Sequence, residues 1–104
     1  MKLKIKDMEY QCVLGDFPIG DCIDDEVILY NEITDKIIVM NITSTYIYRK
    51  LQDSSEKNYD ISDVEISNYL FTIFDIDEFQ KVDVIEDVRD ILNSFLREGV
   101  LKMI

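Results

Sequence analysis

Glu26-Val27-Ile28-Leu29-Tyr30, then Asn31-Glu32-Ile33-Thr34-Asp35-Lys36, then Ile37-Ile38-Val39-Met40, is the stretch on which the fold turns. The first piece is a compact apolar run rich in strand formers. The second carries turn chemistry. The third is apolar and largely β-branched, and the whole predicts a β-hairpin with a loop of about four to six residues. Immediately after it, Thr43 is placed to cap a helix, with Ile42 and Ile47 as a hydrophobic staple.

Working toward the N-terminus, Met8 to Leu14 reads as a further strand ended by Gly15, and Asp16 to Asp25, with Pro18 and Gly20, reads as a loop. Working toward the C-terminus, the polar tract Gln52 to Asp60 ends the first helix. Ser62-Asp63-Val64-Glu65 is a capping box for a second helix, stapled by Ile61 and Ile66. Asp75-Ile76-Asp77 breaks that helix. Asp83-Val84-Ile85-Glu86 is a second box opening a third helix, whose core stripe is Ile85, Val88, Leu92, Phe95 and Leu96. Gly99 is the αL stop, and Val100-Leu101 folds back on the core. The order β-β-β-α-α-α predicts an α+β fold, winged helix-turn-helix-like, with an N-terminal three-stranded antiparallel sheet followed by three helices. A length of 104 residues fits one domain over 1–104.

Composition narrows the function. There are 22 acidic and 11 basic side chains, a net charge of −11. Nucleic acid is bound by displacing counterions with Lys and Arg, so a domain this acidic is repelled by it. The third helix stands where a recognition helix would, yet carries Asp83, Glu86, Asp87 and Asp90 against Arg89 and Arg97. No apolar run approaches the roughly 18 residues of a membrane span, and the basic start Met1 to Lys6 lacks the apolar stretch of a signal peptide. The expectation is a cytoplasmic protein with neither nucleic-acid nor membrane partner. The charge serves solubility, or it steers a basic partner or peptide.

Catalysis and metal chemistry find little support. The chain has no His, two Cys and three isolated glycines, so it lacks the usual general base, a zinc ligand set and a phosphate-binding loop. Cys12 in its apolar stretch reads as a small core residue. Asp75, Asp77, Asp83 and Glu86 fall on an EF-hand-like frame, but Phe79 and Gln80 occupy the positions that need an oxygen ligand and a glycine. No cofactor and no metal are expected, and the protein is read as no enzyme.

From residue 26 to 101 the chain resembles the PqqD family, whose domain is also called the RiPP recognition element. Val27-Ile28-Leu29-Tyr30-Asn31, a turn, and Ile38-Val39-Met40-Asn41-Ile42-Thr43 resemble its hairpin and helix entry. Ser62-Asp63-Val64-Glu65-Ile66 with Leu70 resembles its second helix. Phe74-Asp75-Ile76-Asp77 resembles its Phe-Asp-Val-Asp turn, and Asp87-Val88, Ile91-Leu92, Phe95 and Gly99-Val100-Leu101 resemble its C-terminal helix and exit. The resemblance implies a non-catalytic adaptor. Such a domain captures the leader segment of a ribosomally made precursor peptide and presents it to a modifying enzyme of the same pathway: a radical SAM protein, a cyclase or a leader peptidase.

A physical route to that role is strand addition. An edge strand leaves N–H and C=O groups unpaired, and an extended peptide can complete them. The expected edge is Lys36, Ile37, Ile38, Val39, Met40 and Asn41. The expected opposite wall is the third helix, where Val84, Asp87, Val88 and Ile91 lie at i, i+3, i+4 and i+7, with Asp83 beside them. Pattern alone leaves two readings of these apolar residues, all core or core plus groove, and the resemblance favours the groove. The leader is expected to carry an apolar or aromatic anchor and a positive flank. The chain is expected to be a monomer, or a weak homodimer through the edge strand. The competing functions are a winged-helix transcription regulator, another protein–protein interaction module, and a small enzyme using carboxylates.

Overall fold

The computed structural model describes residues 1–15, 19–23, 26–31 and 35–104. The fold is α+β, and the described residues form two antiparallel-based sheets and three α-helices. Strands β3 (Ile19–Ile23), β4 (Glu26–Asn31) and β5 (Lys36–Val39) form one sheet in the order β3-β4-β5. Strands β1 (Lys2–Ile5) and β2 (Met8–Leu14) form a hairpin, joined on one side by β6 (Ile61–Ser62), parallel to β1, and on the other by β7 (Leu101–Met103), antiparallel to β2. Helix α1 is Ile42–Lys57, α2 is Asp63–Ile73 and α3 is Lys81–Glu98.

The β4–β5 hairpin and the strand at 8–14 lie where the sequence places them. Sheet membership differs. The 8–14 strand belongs to the β1–β2 sheet, and Ile19–Ile23, expected within a loop, is the third strand beside β4. The alternation in Lys2-Leu3-Lys4-Ile5 explains the first difference, since Leu3 and Ile5 are buried and the lysines point out. Gly20, one of the two residues that suggested a loop, lies where the β3–β4 register shifts, and glycine suits such a bulge. The other, Pro18, and the rest of that expected loop at 16–17 and 24–25, lie outside the described residues, as do 32–34 of the expected turn.

The helix starts also shift. Asn41, not Thr43, caps α1: its side-chain oxygen accepts the Ser44 N–H at 2.8 Å. The helix continues past Gln52 to Lys57, because Ser54 is buried and its hydroxyl donates to the Tyr59 carbonyl at 2.6 Å while Asn58 takes the αL conformation. Ser62 caps α2 as expected, accepting from Glu65 N–H at 3.1 Å, and both staple residues Ile61 and Ile66 are buried. Helix α3 begins at Lys81, ahead of the expected Asp83 box. A 3-10 turn at Glu78–Gln80 precedes it, closed by the Asp77 N–H donating to Gln80 Oε1 at 3.3 Å. Gly99 ends α3 at φ 79°, and Val100 and Leu101 return to the core.

The core joins both sheets to the helices. Leu3, Cys12, Leu29, Met40, Ile47, Leu51, Ile66, Leu70, Val88 and Leu92 are buried together. Gly15 passes so close to α3's exit that a Cβ there would collide with the Gly99 carbonyl oxygen.

Candidate functional site

Strand β5 is an edge. β4 pairs with it on one side, and among the described residues no strand pairs with the other. Which backbone groups face outward follows from the ladder. The Met40 N–H donates to the Val27 carbonyl at 2.9 Å, so Met40 faces β4. In an antiparallel pair the bonded positions alternate. Ile38 and Lys36 therefore also turn their backbone groups to β4, and Ile37 and Val39 turn theirs outward. The ladder closes at a hydroxyl: buried Thr45 accepts the Val27 N–H at 3.1 Å and points its own donor at the Met40 carbonyl, 3.5 Å away. The hairpin is thereby seated on α1.

Side chains divide in the same rhythm. Ile38 packs against the core and Met40 is buried, while Ile37 and Val39 are 63% and 64% exposed. Two β-branched residues are thus left in solvent on a strand whose outer edge is open. Lys36 Nζ donates to the Glu98 carbonyl at 2.7 Å and lies 3.3 Å from the Glu98 carboxylate. It caps the C-terminus of α3 and ties the start of β5 to it.

A groove of about 330 Å³ separates Ile37 to Met40 from Ser94, Phe95 and Glu98 of α3. The structure therefore brings the expected edge, Lys36 to Met40, against the C-terminal half of α3. Asn41 is spent on the helix cap. Val84 and Asp87 lie farther along α3, where they border a second hollow of about 210 Å³ with Thr43, Phe74 and Ile76. Ile91, half-buried, lies between the two hollows in sequence, and Val84, Asp87, Ile91, Ser94 and Glu98 follow one another by three and four residues, so they share one helix face. Asp83 is exposed in the first turn of α3. Val88 is fully buried and serves the core. Ser94 and Glu98 are wall residues outside the expected site, and Phe95, expected in the core stripe, lines the groove beside them. Extending the stripe two turns past Ile91 would have found Ser94 and Glu98.

Electrostatics sets the outside of α3 apart from a nucleic-acid surface. Asp83, Glu86, Asp87 and Asp90 are exposed. Arg89 is turned inward, its Nε donating to Asp63 Oδ2 at 2.6 Å. Asp63 also accepts the Lys6 and Val64 N–H groups. Burial pushes the Asp63 carboxyl up, but the Arg89 bond and the two backbone donors outweigh it and hold the group below the usual carboxylate range. Burial pushes the Cys12 thiol up, which suits an inert core residue. Cys22 has no described side chain. No described helix is long and apolar enough to cross a membrane.

No family model matches the chain, and no curated protein matches it significantly. Among solved structures, the fold has a counterpart. The chain is similar in fold to TbiB1. That structure, of TbiB1 in complex with the TbiA(beta) leader peptide, superposes with a TM-score of 0.66 at 21% sequence identity, over 86% of this chain and 93% of that one. It is a likeness of fold.

Proposed function

We propose that this protein is a non-catalytic adaptor of the PqqD type, acting in the cytoplasm. In this reading it binds the leader segment of a ribosomally made precursor peptide as an added strand on β5, and presents it to a modifying enzyme: a radical SAM protein, a cyclase or a leader peptidase. The observation that carries this reading is the open edge of β5, where the backbone of Ile37 and Val39 faces outward beside a groove walled by α3. The fold likeness to a protein solved with a leader peptide supports it.

The peptide's path follows α3. From Glu98 to Val84 a helix rises about 21 Å, a length that roughly six extended residues span. Backbone bonds to Ile37 and Val39 supply a sequence-independent share of the affinity. An apolar or aromatic anchor covers the exposed side chains of β5 or enters the hollow at Phe74, Ile76 and Val84, and it dominates the energy. Glu98 and Asp87 favour a basic flank, each worth up to about 1 kcal/mol at such exposed positions. Because a disordered leader must be ordered, a dissociation constant between about micromolar and tens of nanomolar is expected.

The test is a titration of labelled protein with the leader of a precursor encoded near this chain, followed by amide chemical shifts. Changes concentrated at residues 36–40 and along 84–98 are expected. A Val39→Asp variant that stays folded is expected to bind at least tenfold more weakly. Unchanged binding by Val39→Asp, or shifts confined to the β1–β2 sheet, would overturn the reading.

A further inference from the structure

The 3-10 turn before α3 presents an aromatic side chain to solvent by design of its surroundings. Phe79 is 96% exposed, the most exposed large apolar side chain among the described residues, and Val82, three residues on and on the same side of the helical run, is 65% exposed. Scattered apolar side chains on a surface are ordinary. This one is unusual because its turn is held on several sides. The Gln80 N–H donates to the Asp77 carbonyl at 2.9 Å, and the Gln80 side chain returns to the Asp77 N–H. Lys81 Nζ lies 2.8 Å from Glu78 Oε1 and 5.3 Å from the centre of the Phe71 ring, which fastens the turn to α2. None of these tethers uses the Phe79 ring, and the ring adds nothing to the core.

Charge says what covers it. Asp75, Asp77, Glu78, Asp83 and Glu86 lie within seven residues of Phe79, with Lys81 as the one base among them and already paired. A second copy would bring the same acids against themselves, on a chain of net charge −11. Anionic membranes and nucleic acid are repelled for the same reason. A protein pocket that is apolar at its centre and rimmed with Lys or Arg fits both features. We infer that Phe79, with Val82 beside it, is an anchor that inserts into such a pocket on the maturation enzyme to which the leader is delivered. This inference rests on the adaptor reading for the identity of the partner, and it assigns the partner a surface separate from the β5 edge.

The test uses the purified maturation enzyme encoded beside this chain, and the full-length chain with substitutions at each surface in turn. Phe79→Ser is expected to weaken the enzyme's binding at least tenfold while leaving leader affinity within about twofold. Glu78→Lys combined with Asp83→Lys is expected to weaken enzyme binding and flatten its salt dependence. Val39→Asp is expected to do the reverse of Phe79→Ser, losing leader and keeping enzyme. Enzyme binding that Phe79→Ser leaves intact, or an enzyme that does not bind the parent, overturns the anchor. Self-association of the parent that Phe79→Ser abolishes also overturns it, in favour of a second copy. Loss of leader binding alone bears on the adaptor reading and leaves the anchor standing.

Discussion

The two short strands β1 and β5 are built alike and paired differently. Each is four residues long, and each alternates a core-facing side chain with an exposed one. β1 is closed on both sides, by β2 and by β6. Among the described residues, β5 is closed only by β4. The exposed residues of β1 are lysines, which protect a surface from unwanted pairing, and those of β5 are Ile37 and Val39, which invite it. The difference separates a strand that holds the molecule together from one that leaves bonds unmade.

The largest effect should fall on the closed strand. Leu3 is fully buried at the centre of the four-stranded sheet, so Leu3→Ala is expected to cost about 3 kcal/mol, within the range for a cavity left in a packed core. Denaturant unfolding measures it. A cost below about 1 kcal/mol would mean that the N-terminal hairpin is an accessory and the comparison fails.

Asp63 comes next. It joins the β1–β2 turn through Lys6, the start of α2 through Val64, and α3 through Arg89. Replacing it with Asn removes a charge while keeping most of the volume. About 2 kcal/mol is expected, below the value for a fully buried pair because Arg89 retains 26% of its side-chain exposure. The folded pKa is lower than the ordinary 3.8 of an aspartate, so the stabilisation is complete at neutral pH. It is lost as pH falls below about 4 and through the folded value. Asp63→Asn should therefore flatten the acid limb of stability against pH. An unchanged limb would show that other carboxylates govern acid unfolding.

Much of this contrast is legible in the chain itself. The β4–β5 hairpin follows from two apolar runs around turn residues, and the stop of α3 from Gly99. Alternation in Lys2 to Ile5 is equally visible, although no element is assigned to that basic start from sequence. What cannot be read from residue order is partnership. Nothing in Ile61-Ser62 announces that two residues will pair in parallel with β1, because that contact is made across 58 residues by tertiary packing. The candidate site shows the same limit. The strand at 36–40 is local and follows from the hairpin pattern, whereas which half of α3 faces it depends on how the helix crosses the sheet. Asp83 to Ile91 and Ser94 to Glu98 lie on the same helix, and only the packed geometry ranks them. The start of α1 slips by two residues because Asn41, ahead of Thr43, is the side chain that reaches a free N–H, and that of α3 slips by three because the 3-10 turn at Glu78–Gln80 runs directly into it without a side-chain cap.

A sharper comparison lies within β5. If the outward groups are those of Ile37 and Val39, proline should discriminate between neighbours. Ile38→Pro removes a ladder bond to Leu29 and a core contact, and at least about 1.5 kcal/mol is expected. Val39→Pro removes only an N–H that faces away from β4, so it should cost less than half as much and still weaken an added strand by one hydrogen bond. Thermal unfolding of the pair, read beside leader binding, checks both parts. Equal costs would mean that the ladder has the opposite phase.

The smallest expected effect tests whether the edge is free to accept a partner. Lys36 fastens β5 to α3 across the groove, through the carbonyl and the carboxylate of Glu98. Both ends of the ion pair are substantially exposed, at 39% and 45% of their side-chain area, so water and salt screen it. Lys36→Met keeps the apolar stem and removes the charge, and a loss under about 1 kcal/mol is expected, shrinking further at high salt. The consequence for binding has the opposite sign: with Lys36 gone, the Glu98 carboxylate is released for a basic residue of the incoming strand, and a peptide carrying one should bind as tightly as before or tighter. A stability loss above about 2 kcal/mol, with peptide binding lost as well, would mean that this bond is a lock on the edge and that β5 is held as firmly as β1.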